Sequence, residues 1–247
     1  RGKCAQGCRL PYSLLENDRT IDSGYLLSPR DLSSLELLPE LINTGIDSLK
    51  IEGRMKTPEY VATVTRIYRK YIDLALSENE YKVDEEDRKK LMQVFNRGGF
   101  STGYINGKLG KSMMYTKRPN HMGVFLGKVI SYNSNRGYVK IKLEEEIDLG
   151  DSIRINENSC KTSELMRNNN NIKNAKIGEF VTLGRIKGKI KVGDLVYKTV
   201  SLKLESQINQ NSSKENVKRQ VHCKVDAESE IIKNAPKNEY SDIEHGS

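Results

Sequence analysis

Two cysteines, Cys4 and Cys8 in the stretch "RGKCAQGCRLPY", are the first residues here whose type and spacing suggest chemistry. Arg1, Lys3 and Arg9 flank them, and thiolates among cations suit ligation of a metal or an iron–sulfur cluster. The C-x-x-x-C spacing is not that of the usual zinc knuckle, and two thiolates cannot complete a four-ligand site. Cys160 and Cys223 could supply the remainder in principle, but both read as structural, one in a polar turn and one in a strand-like segment. A second constellation is "KIEGRMK", residues 50–56, where Glu52, Arg54 and Lys56 follow a short strand pattern and precede a helix. In α/β sheets, ligands bind beyond the carboxyl ends of strands. There Arg54 and Lys56 would grip a carboxylate or phosphate, aided by the helix N-terminus. Glu52 would orient Arg54 or a nearby cation rather than act as a base. The alternative is a surface loop whose charges pair with one another.

The remaining chemistry-bearing types are sparse. His121, His222 and His245 stand in no H-E-x-x-H and beside no nucleophile motif, so no hydrolytic set can be assembled from them. His121 reads as a turn residue. The Gly-rich "RGGFSTGYINGKLG" fits neither phosphate-loop nor dinucleotide spacing and reads as a connector with several turns.

The elements that must position these groups fall into pieces. Residues 1–78 have α/β character. In "GYLLSPRDL", Ser28, Pro29 and Asp31 suit a helix start, and Leu32, Leu35, Leu38 and Ile42 recur at helical spacing. Pro39 kinks or divides that helix, and Gly45 stops it. "IDSLKIEG" alternates as a short strand. Thr57 then caps, Pro58 takes the first helical position, and Val61, Val64, Ile67, Tyr71 and Leu74 carry an amphipathic helix to about Ala75. Strand, helix, strand, helix implies a parallel sheet. A closed (β/α) barrel takes about 250 residues, so the bulk of that domain is expected upstream of Arg1.

Residues 79–118 hold a charged helix ("DEEDRKKLMQVFN") and the Gly-rich connector. Residues 119–200 are β in character: "VKIKL" puts Val139, Ile141 and Leu143 on one face and Lys140 and Lys142 on the other. Two internal echoes follow, "IDLGDSIRI" with "IKVGDLVYK" and "GVFLGKV" with "FVTLGRI". Short strands with Gly-Asp turns suggest a small antiparallel barrel. Residues 201–247 read as a polar linker, one further strand-like segment ("QVHCKV") and a disordered tail.

At 247 residues, 36% hydrophobic and 30% charged with no Trp, the chain has room for modest cores only. No apolar run approaches the roughly 20 residues of a membrane span, and four scattered cysteines suggest a reducing cytoplasm. The net charge of +8 permits RNA, DNA or an acidic partner. Its bland alternative is base composition, since Lys and Asn are abundant throughout. The 12 Tyr are not interleaved with a basic stripe, so stacking on bases is not indicated.

Taken together, "RGKCAQGCRLPY", "GYLLSPRDL" and "GIDSLKIEGRMKTPEYVATVTRIYRKYID" resemble the collagenase-like peptidase family, U32. The following "FNRGGFSTGY" and the β piece resemble the region after the catalytic barrel in longer members, and the β piece is also similar to second-domain barrels of elongation factors. The resemblance implies a fold of α/β followed by β: the last units of a (β/α) TIM-like barrel, then a small antiparallel β-barrel, as part of a longer chain. It implies proteolysis by name, with peptide substrates. It equally implies oxygen-independent hydroxylation of tRNA or rRNA, with a [4Fe–4S] cluster on four cysteines and prephenate as co-substrate. By that resemblance Cys4 and Cys8 would be two cluster ligands. A third reading is a non-catalytic module in which residues 119–200 dock RNA or another partner.

Overall fold

The computed structural model describes residues 4–53, 56–77, 79–107 and 110–214, with side chains to residue 208. Arg54, and the strand and tail expected after residue 214 with Cys223, His222 and His245, lie outside the described residues.

The first described elements are a 3₁₀ turn, Gly7–Arg9, and a hairpin of β1 (Tyr12–Glu16) and β2 (Arg19–Gly24). Asn17 and Asp18 turn it with φ of 47° and 64°, the left-handed pair that a two-residue hairpin loop takes. The expected helix from Ser28 starts later. Residues Asp31–Leu32 form β3 instead, and a 3₁₀ turn at Leu35–Leu37 leads into α1 (Leu38–Asn43). Pro39 does divide the pattern, sitting in the first turn of α1 where its missing N–H costs nothing. Gly45 follows with φ of 80°.

The strand expected over "IDSLKIEG" is absent. Residues 46–53 are irregular, because a strand exists only through its ladder and no neighbour pairs with this segment. The parallel sheet expected of residues 1–78 reduces to β3 lying parallel to β4 (Phe100–Ser101), so no (β/α) barrel is present among the described residues.

The helices follow their patterns. In α2 (Pro58–Ala75) the Thr57 Oγ1 accepts the Tyr60 N–H, and Val64, Ile67 and Tyr71 face inward. In α3 (Glu85–Val94) Asp84 caps the first turn by accepting the Glu86 N–H. Leu35, Leu38, Val64, Ile67, Tyr71 and Leu91 close the core these helices share.

The β piece runs β5 (Val124–Asn133), β6 (Tyr138–Leu143), β7 (Ile147–Asp148), β8 (Ser152–Ile155), β9 (Asn158–Lys161), β10 (Leu165–Arg167), β11 (Asn170–Asn171), β12 (Asn174–Ala175), β13 (Phe180–Leu183) and β14 (Leu195–Val200). Eight of these form one antiparallel sheet in the order β11-β10-β13-β6-β5-β14-β8-β9, while β7 and β12 pair separately. Val139, Ile141 and Leu143 are buried and Lys140 and Lys142 exposed, as the alternation requires. The sheet curls around a single apolar core as a half-barrel. It does not close, because the end strands β11 and β9, two and four residues long, offer too little ladder to meet.

Both echoes have a structural meaning. "GVFLGKV" and "FVTLGRI" become β5 and β13, the two neighbours of β6. "IDLGDSIRI" and "IKVGDLVYK" lead into β8 and β14, which pair with each other. Asp151 and Asp194 each reach back three residues to accept a backbone N–H, from Asp148 and Lys191, so each pins its own turn.

The segment expected to be a polar linker begins as a helix, α4 (Leu202–Lys214), with the Leu202 N–H bonded to Asp151 Oδ1 and Ile208 buried. Among the described residues no helix is long and apolar enough to cross a membrane.

Candidate functional site

The end of α3 aims three consecutive residues at one place. Phe95, just beyond the helix, is an aromatic plate on which other groups converge. Lys56 Nζ stands 2.8 Å above its centroid, the Arg97 guanidinium 4.7 Å away, and the His121 ring stacks at 5.3 Å with a 14° interplanar angle. Cations over a ring face are held by its quadrupole. Arg97 is fixed in turn by Asp31 on β3: Oδ1 accepts from the guanidinium at 2.9 Å and Oδ2 from the Arg97 N–H at 2.7 Å. Asn96, between them, donates from its side-chain amide to the Met92 and Gly123 carbonyls, which ties α3 to the start of β5.

Arg9 joins from the N-terminal turn. Its guanidinium donates to Ser28 Oγ at 2.5 Å and to the Pro29 carbonyl at 2.7 Å, anchoring the segment that carries Cys8 beside β3. Three cations (Arg9, Lys56 and Arg97) thus surround one carboxylate, Asp31. A cleft of about 500 Å3 opens over Asp31, Lys56 and Arg97, walled by Tyr60, Tyr68 and Phe100 as well as Phe95.

These charges act on one another. Burial, reinforced by Arg97 and Arg9 and opposed by Asp31, pulls the Lys56 amine down to about 8. Burial pushes the Asp31 carboxyl up, against the pull of Arg97, Lys56 and Arg9. Burial also raises the Tyr60 phenol. The result is a positive, half-dry cleft with an aromatic floor, suited to a planar anion. It holds an amine whose charge changes near neutral pH.

His121 is not the turn residue its sequence context suggested. Its Nδ1 accepts the Asn96 N–H at 3.0 Å, which leaves the proton on Nε2, 3.2 Å from the Thr199 carbonyl. The half-buried imidazole is held neutral by that burial. Both nitrogens are committed to backbone, so it braces the Phe95 plate and is not a free base.

Of the residues singled out from sequence, Lys56 enters the cleft. Glu52 lies on its rim and faces solvent, paired with Lys50 at 3.0 Å, an exposed contact worth about 0–1 kcal/mol. Glu52 therefore stands as the self-paired surface loop that was the alternative reading. Arg54 lies outside the described residues. Cys4 and Cys8 are free and exposed, Cys8 within the Gly7–Arg9 turn and Cys4 before it, and the Gln6 N–H donates to Cys4 Sγ at 3.3 Å. Cys160 is packed against the β core on β9, and burial pushes its thiol up, as for a structural residue. Among the described residues no three His, Cys, Asp or Glu side chains are grouped to hold a metal. Asp31, Phe95 and Arg97 were missed as site residues: their stretches read as a helix start, the end of a charged helix and a Gly-rich connector.

Comparison with known proteins adds the family. The model of peptidase family U32 matches residues 1–115. A collagenase of Porphyromonas gingivalis is 30% identical over 211 residues, 80% of this chain and 50% of that protein. An uncharacterized protease of Methanocaldococcus jannaschii is 32% identical over 212 residues, 79% of this chain and 51% of that protein. The tRNA hydroxylation protein P1 of Bacillus subtilis is 34% identical over 164 residues, 62% of this chain and 39% of that protein. The chain spans about half the length of the first two relatives. The matched stretch contains both thiols, Arg9, Asp31, Lys56, Phe95 and Arg97, and through it the chain belongs to peptidase family U32.

Proposed function

We propose that the chain is part of an iron–sulfur protein for oxygen-independent hydroxylation of tRNA or rRNA. The observation that carries this is the Arg9 tether, which fixes the turn bearing the free Cys8 thiol, with Cys4 three residues before that turn, beside a cationic, aromatic-floored cleft. The similarity to a protein named for tRNA hydroxylation supports it. Cys4 and Cys8 suit half of a four-thiolate set: both are exposed and neither is in a disulfide. An N–H already aimed at Cys4 Sγ resembles the donors that support cluster sulfurs. The other two ligands would come from outside the described residues. A [4Fe–4S] cluster bound there would supply one-electron chemistry. Lys56 and Arg97 would grip a carboxylate of a co-substrate, prephenate by family resemblance, with Phe95 backing the two cations. Asp31 would hold the Arg97 fork in position. The last-barrel-units context of residues 1–78 belongs to the same reading, supported by the exposed apolar side chains Leu14, Leu15 and Ile21 of the hairpin.

The peptidase reading rests on the collagenase and protease names of relatives. It gains nothing from His121, whose nitrogens are both engaged by backbone.

Anaerobic reconstitution of the intact protein with iron and sulfide should give visible cluster absorption. Cys4→Ser and Cys8→Ser should each weaken it, with the melting temperature little changed because both positions are exposed. An intact protein that binds no iron would end this reading. Peptide cleavage that survives iron removal would favour the peptidase.

A further inference from the structure

The outer face of the half-barrel carries a row that no single stretch of sequence contains. Lys128 on β5 lies directly opposite Lys142 on β6. Lys142 is opposite Phe180 on β13, and Lys128 is opposite Leu195 on β14. Partners in antiparallel register face the same side, so Phe180, Lys142, Lys128 and Leu195 form one line across four strands, about 14 Å long at 4.8 Å per strand. A second line beside it runs Thr182, Lys140, Ser131. The residues behind the first line, Val181, Ile141, Val129 and Val196, are all in the core, so this row points outward.

Three features of the row ask for an explanation. Two lysines directly opposite each other repel, which costs stability unless an anion lies between them. Among the described residues none of Lys128, Lys140 and Lys142 takes part in an ion pair, although Glu144 follows directly on β6. Phe180 is 53% exposed, opposite Lys142 rather than buried, on a strand whose neighbouring side chain fills the core.

We infer that this face docks single-stranded RNA, with the lysines on successive phosphates and Phe180 stacking on a base. The inference rests on the reading above that the protein acts on RNA. Charge complementarity selects a polyanion. The exposed ring selects one with unpaired bases, because bases in a duplex are already stacked and a deep groove hides their edges. An acidic protein would use the lysines but leave Phe180 without a role.

The test is binding of the chain to a labelled single-stranded RNA oligonucleotide, followed by fluorescence anisotropy over a salt series. The double variant Lys128→Gln/Lys142→Gln should bind about tenfold or more weakly. Its slope of log affinity against log salt should fall by about 1.4, two lost phosphate contacts at about 0.7 each. Phe180→Ala should weaken binding by about tenfold with the slope unchanged, the signature of lost stacking. Both variants should melt as the wild type does, since the positions are exposed. Wild-type affinity in both variants would overturn the inference, as would equal preference for an RNA duplex or tighter binding to polyglutamate. A chain that binds no RNA removes the docking face. The hydroxylation reading is judged separately, by iron binding and the two cysteine variants.

Discussion

At pH 8, Lys56 should be the most reactive amine among the lysines described, and its labelling should titrate with a midpoint about 8. At that pH an amine with this midpoint is about half deprotonated, whereas an ordinary lysine near 10.4 is about 0.4% deprotonated, a ratio on the order of a hundred before access is considered. The cause is burial first, then the repulsion of Arg97 and Arg9. Two variants should therefore move the midpoint in opposite directions. Arg97→Met removes a repelling cation and should raise it; Asp31→Asn removes the attracting carboxylate and should lower it further. Reductive methylation across a pH series, read by peptide mass spectrometry with a blocked lysine peptide as the control, measures all three. A midpoint near that of the peptide, about 10.4, would show that Phe95 and its neighbours do not perturb the amine. The same shift has a consequence for stability. Between about 8 and 10.5 the folded state holds fewer protons on Lys56 than the unfolded state does. This group therefore lets the fold gain stability as pH rises through that window.

Gly123→Ala should be severely destabilising, by about 3 kcal/mol or more. Gly123 has φ of 74°, a left-handed conformation that costs an L residue about 1–2 kcal/mol. A Cβ there would also land on the Lys198 carbonyl oxygen of β14, backbone that cannot swing aside, adding about 1–3 kcal/mol of overpacking. A protein of this size should then lose about 6–12 °C of melting temperature. Gly178→Ala is the matched control. Its φ is 87° but nothing lies within 4 Å of the added atom, so only the conformational cost applies. Equal losses in the two variants would refute the close-approach argument. Gly123 also matters to the cleft. Its carbonyl accepts from Asn96, and its neighbour His121 stacks on Phe95, so a shift there should disturb the Lys56 titration too.

Much of the local structure was legible because it depends on local physics. The 3.6-residue period of Val64, Ile67 and Tyr71 and the Thr57-Pro58 start specify α2 wherever it packs. Strict alternation over 139–143 specifies β6 and its two faces. The repeated Gly-Asp turns are local side-chain-to-backbone bonds, and they appear at both echoes. The failures are equally physical. "IDSLKIEG" has the composition of a strand but no partner, and alternation alone cannot supply one. The expected closed barrel stayed open because closure depends on the lengths of strands at opposite ends of the sheet.

By itself, then, the sequence determined the helices, the alternating strands, the pinned turns and a pair of free thiols beside basic residues. Each of these is decided within a few residues of chain. Tertiary structure alone decided the sites. The cleft brings together Asp31, Lys56, Phe95 and Arg97, with Arg9 near Asp31 and His121 stacked on Phe95, and what makes it reactive is burial and mutual repulsion among groups up to 88 positions apart, counting from Arg9 to Arg97. The outer row joins Lys128, Lys142, Phe180 and Leu195 only through strand register. Aromatic and basic residues that look uncorrelated along the chain become neighbours there, because antiparallel pairing brings distant residues to adjacent places on one face.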